Sequence, residues 1–114
     1  MKALIAVVPM LMISSAFASD LPAQPARPAV HRYMIERTFP AGALAGLNAE
    51  GKARINATNA KYGVHWKMSY ANAEQTRTFC VYEAPSEQAV RDAATANNIP
   101  IDTVMEVPVT LLPK

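Results

Sequence analysis

What constrains this chain most is the order in which two periodicities alternate along it. Apolar residues recur at every second position in four runs, and at helical spacing in two stretches set between them. The first run, His31 to Phe39, puts Tyr33 and Ile35 on one side and Met34, Glu36 and Thr38 on the other. Arg37 falls on the apolar side, which suits a strand end. Pro40-Ala41-Gly42 breaks the run. Leu44 to Tyr62 then reads as a helix, with Leu47, Gly51, Ile55, Thr58 and Tyr62 along one side, Asn48 available as an N-cap and Gly63 closing it.

Alternation resumes at Val64 to Tyr70, where Val64, Trp66, Met68 and Tyr70 share a face. The turn Ala71 to Gln75 leads into Thr76 to Ala84, a strand stopped by Pro85, so these two runs should form an antiparallel hairpin. Ser86 suits the N-cap of a second helix, Glu87 to Ala96, with Ala89, Val90, Ala93 and Ala94 as a small packing face. Asn97-Asn98 and Pro100 end it. Asp102 to Leu111 is the last strand, with Met105, Val107 and Val109 on one face and Val104 and Glu106 on the other.

The resulting order is β-α-β-β-α-β, an α+β ferredoxin-like fold. Right-handed returns would place both helices on one face of a four-stranded antiparallel sheet in the order 4-1-3-2. That domain is expected to run from residue 31 to residue 114. A chain of 114 residues leaves room for little more.

Ahead of it, residues 1–18 have the form of a secretory signal peptide. Lys2 supplies the charge, Ala3 to Ile13 the apolar run and Ala16-Phe17-Ala18 the cleavage pattern. The run is too short for a membrane helix, so no stable membrane insertion is expected after cleavage. Residues 19–30 hold Pro22, Pro25 and Pro28 and read as an extended linker. The mature protein is thus expected in the periplasm or the medium. Losing Lys2 leaves ten basic residues against nine acidic ones, with no basic tract, so nucleic acid is not an expected partner.

Export means an oxidising compartment, yet Cys80 is the one cysteine of the chain. An unpaired cysteine can be a buried inert thiol, half of an intermolecular disulfide, or a reactive or metal-binding thiolate. Alternation bears on the choice. If the more apolar side of each strand faces the helices, Phe79 and Val81 point inward and Thr78, Cys80 and Tyr82 point outward. The uncovered face then carries a row of Glu106, Glu36, Cys80 and His65. Thiolate, imidazole and carboxylate are ligand types for nickel, copper or zinc. The same row could serve an enzyme or small-molecule binder, with Cys80 as nucleophile and Glu36 orienting His65. A mixed solvent-facing sheet or a plain interaction face is the other reading. Short metal spacings, phosphate loops and nucleophile elbows are lacking, which favours a binding protein over an enzyme.

Three runs carry a resemblance. Tyr33-Met34-Ile35-Glu36-Arg37-Thr38-Phe39-Pro40, Trp66-Lys67-Met68-Ser69-Tyr70 and Thr78-Phe79-Cys80-Val81-Tyr82-Glu83-Ala84-Pro85 resemble a bacterial family of small proteins catalogued as a domain of unknown function, some members of which are described as nickel-binding. Ala89 to Ala94, Ile99-Pro100 and Glu106-Val107 fit its later part. The resemblance implies a ferredoxin-like fold, a homodimer, and nickel or another divalent transition metal as cofactor. Many relatives carry a histidine in the second helix, where this chain has Ala93. The expectation is therefore an exported homodimer holding a metal on its uncovered sheet face, with a dimeric barrel-like enzyme or small-molecule binder, or a pure interaction module, as alternatives.

Overall fold

A computed structural model describes residues 29–114. The expected signal peptide, residues 1–18, lies outside the described residues, as does the expected linker up to residue 28. The elements are β1 (His31–Thr38), a short 3-10 helix (Ala43–Gly46), α1 (Ala49–Lys61), β2 (His65–Ala71), β3 (Arg77–Ala84), α2 (Glu87–Ala96) and β4 (Thr103–Glu106). The strands form one sheet in the order β2-β3-β1-β4, the expected 4-1-3-2 met from its other edge. All three pairings are antiparallel.

Local chemistry fixes the helix ends. Asn48 accepts a hydrogen bond from the Gly51 amide at 2.8 Å, so α1 starts there and not at Leu44. Ser86 does the same for α2 through the Ala89 amide at 3.1 Å. Gly63 leaves α1 at φ +71°, a left-handed turn that a side chain would strain. Beyond β4, the Val107 amide still donates to the Arg32 carbonyl, but Pro108 has no N–H to continue, so the strand is shorter than expected.

The core lies between the sheet and the helices. Tyr33, Ile35, Val64, Cys80, Tyr82, Ala84, Val90 and Ala93 form its buried cluster, with Trp66 and Val104 packed against it. On β1 the expected inward side is correct. On β3 it is reversed: Thr78, Cys80, Tyr82 and Ala84 are buried, while Phe79 and Val81 face away from the helices. Pairing decides this. Cys80 lies opposite Ile35 and Tyr82 opposite Tyr33, and directly opposed residues share a face. Both sides of β3 are apolar, so alternation alone could not choose between them.

The other two strands depart in their own ways. A bulge at Lys67 shifts the register of β2, so Trp66 pairs with Tyr82 but Met68 pairs with Val81. The expected single face Val64-Trp66-Met68-Tyr70 is therefore split. Trp66 and Ser69 turn toward the helices and bond through the indole N–H at 2.8 Å, while Met68 and Tyr70 turn away. On β4, Val104 opposes Ile35 on the helix side and Met105 opposes Met34 on the open side, again the reverse of the expectation.

Candidate functional site

The sheet presents two faces, and each has a distinct chemistry. On the uncovered face, Met68, Val81, Met34 and Met105 lie side by side across all four strands. The adjoining row begins with Tyr70, Phe79 and Glu36. Exposure is high for such residues: 49% for Met68, 64% for Tyr70 and 60% for Met105. Charges of both signs frame this patch. Arg77 meets Glu36 at 3.5 Å, and Lys67 meets Glu83 at 3.8 Å. His65 stands opposite Glu83 at the end of the same face.

The row expected of Glu106, Glu36, Cys80 and His65 is not formed. Glu36 and His65 do lie on the open face, in separate rows and on strands that are not neighbours. Cys80 lies beneath the helices, 5% exposed, with its thiol 3.5 Å from the Thr78 hydroxyl. The Cys80-His65 pair of the catalytic variant is separated by the sheet itself. Glu106 shares the helix side with Tyr33, at the sheet's end, and accepts from or donates to no member of the row. Its partner is His31, whose Nδ1 lies 2.7 Å from Glu106 Oε1. Among the described residues, no three His, Cys, Asp or Glu side chains converge on a point that could hold a metal ion.

The covered face carries a feature that alternation did not reveal. A cleft of about 790 Å³ opens between the sheet, α1 and the 3-10 helix. It exists because α1 offers little bulk to the sheet: Gly51 and Ile55 line the cleft, and Asn59 is the helix's one buried residue. Trp66, Ser69, Thr78, Cys80 and Tyr82 form its floor. Arg37 is set into that floor, 3% exposed, with its guanidinium carbon 5.3 Å from the centre of the Tyr82 ring. Its Nε and Nη1 have no hydrogen-bond partner, and neither does Nδ2 of Asn59. Burial pushes the Tyr82 phenol above its ordinary value and Cys80 adds to the rise, while the Arg37 charge opposes it. The signal for this site was in the sequence: Arg37 keeps the two-residue period of Tyr33 and Ile35, and so had to follow them inward.

Comparison with known proteins gives two findings. The family model described as "Nickel responsive protein SCO4226-like" matches residues 33–107. The crystal structure of SCO4226 from Streptomyces coelicolor A3(2) superposes with a TM-score of 0.61 at 20% identity, covering 70% of this chain and 99% of that one. At that identity the likeness speaks for the fold, which it supports. No curated protein matches the chain. The resemblance drawn from the three sequence runs is thereby confirmed.

Proposed function

We propose a metal-binding role from one premise: the chain belongs to the SCO4226-like nickel responsive protein family. In this proposal the protein is not an enzyme. It is an exported homodimer that joins through the open sheet face and holds a divalent nickel-type ion there. The observation that carries the reading is the apolar row Met68-Val81-Met34-Met105, left uncovered across the whole sheet. A contiguous apolar patch with a polar rim marks an interaction surface. A second copy fits it because the rim holds both signs, Glu36 and Glu83 with Arg32, Lys67 and Arg77. A twofold axis can then set each sign against its opposite.

The donor set supports an ion only if two copies share it. One chain offers His65 beside Glu83 on this face, one imidazole and one carboxylate. Both suit nickel, and two such pairs would supply four donors. The ion would contribute only a bridging charge. Cys80 and Glu106 take no part, since they belong to the other face. The Lys2, apolar run and Ala16-Phe17-Ala18 pattern supports the exported part of this reading.

Light scattering and calorimetric titration with nickel chloride test this. A dimer that takes up nickel, loses that heat in His65→Ala, and dissociates in Met105→Glu is the expected result. A monomer at tens of micromolar, or nickel binding unchanged in His65→Ala, would refute it.

A further inference from the structure

We infer that the cleft beneath α1 is a second site, independent of the metal, which binds a small organic carboxylate with an apolar body. The starting point is Arg37. A guanidinium cannot shed its charge to escape burial, so a buried one needs a counter-anion or a full set of acceptors. Arg37 has neither among the described residues: no carboxylate pairs with it, and two of its nitrogens are unpartnered. The neighbouring carboxylate in sequence, Glu36, points through to the opposite face. The Tyr82 ring offers its π-face, which attracts the cation but accepts none of those N–H groups.

The walls define the ligand further. Three cations, Arg37, Lys52 and Arg54, line the cleft, and no Asp or Glu does. The remaining wall is largely apolar, built from Leu44, Leu47, Ile55, Trp66 and Ile99. A volume of about 790 Å³ falls within the range of small-molecule sites, which combine apolar walls with a few polar groups that fix orientation. An inorganic anion would satisfy Arg37 but leave those walls wet. A carboxylate head at Arg37, with an aliphatic or aromatic body along Trp66, uses both. Arginine is suited to this because its planar N–H array matches a carboxylate.

Trp66 is the one tryptophan of the chain and lies in the cleft, so its fluorescence reports occupancy. The full chain is titrated with octanoate, with octanamide as the uncharged match and with inorganic phosphate. Saturable quenching by octanoate at one equivalent is expected, with octanamide weaker by about 10- to 100-fold, the worth of hydrogen bonds to a charged group. Arg37→Met should lose the same factor. Ile55→Phe, which narrows the cleft without touching Arg37, should weaken octanoate while leaving nickel uptake unchanged. No response to octanoate, equal affinity for octanamide, or undiminished binding in both variants would overturn the inference. Phosphate that displaces octanoate and binds more tightly would overturn its apolar part.

Discussion

Replacing Arg37 by methionine should make the ligand-free protein more stable, although the side chain is almost fully buried. Arg37 leaves Nε and Nη1 without partners inside the fold. Each buried N–H without an acceptor costs about 1–3 kcal/mol. Against that stands the contact with Tyr82, centred at 5.3 Å, for which roughly 0.5–2 kcal/mol is a fair value. Methionine has similar reach, keeps most of the apolar contact, and brings no donor to satisfy. Two such donors less that contact leave a gain of about 0–5 kcal/mol, several degrees in Tm at the middle of that range for a domain of this size. Urea unfolding followed by Trp66 fluorescence measures it. The midpoint should rise with an unchanged slope. A loss of about 1 kcal/mol or more would mean that the guanidinium is already satisfied in the free protein, and the case for an anion at that position would fail.

Other consequences can be checked alongside. Ile35 is fully buried at the centre of the cluster, so Ile35→Ala should cost about 2–5 kcal/mol in the same unfolding assay. Asn48→Ala and Ser86→Ala each remove an N-cap bond and should each lower stability by about 1 kcal/mol. Tyr82 holds its proton more tightly when folded, so its contribution is complete below the free phenol's value of about 10 and is lost as pH rises beyond it. Thermal melts from pH 8 to 11 should therefore fall less steeply at the alkaline end in Tyr82→Phe than in the parent.

Much of the fold could be read from residue order because periodicity and punctuation agree. Asn48, Gly63, Ser86 and Pro85 sit where elements begin or stop, and the helix-strand order leaves one right-handed arrangement of four strands. The faces were harder. On β1, Tyr33 and Ile35 against Glu36 and Thr38 leave no doubt of the inward side. On β3, Phe79 and Val81 compete with Cys80, Tyr82 and Ala84, two sets of equal apolar weight, and only pairing to β1 separates them. The high burial of free cysteines as a class favours the observed side. The bulge at Lys67 reverses the second half of β2 without any glycine to announce it. The candidate metal row depended on those parities and dissolved with them. The cleft was visible only as an arginine in step with two core residues, at a position that a strand end also suits.

Which side of the sheet Cys80 occupies governs everything said of both faces, and thiol labelling measures it directly. In the native protein, a polymer-linked maleimide too bulky to enter the cleft should react with Cys80 only slowly, and fully once the chain is unfolded in urea, because the sulfur lies beneath the helices. Rapid stoichiometric labelling of the folded protein would put the thiol on the open face, restoring the row with His65 and Glu36 and removing the basis for the cleft.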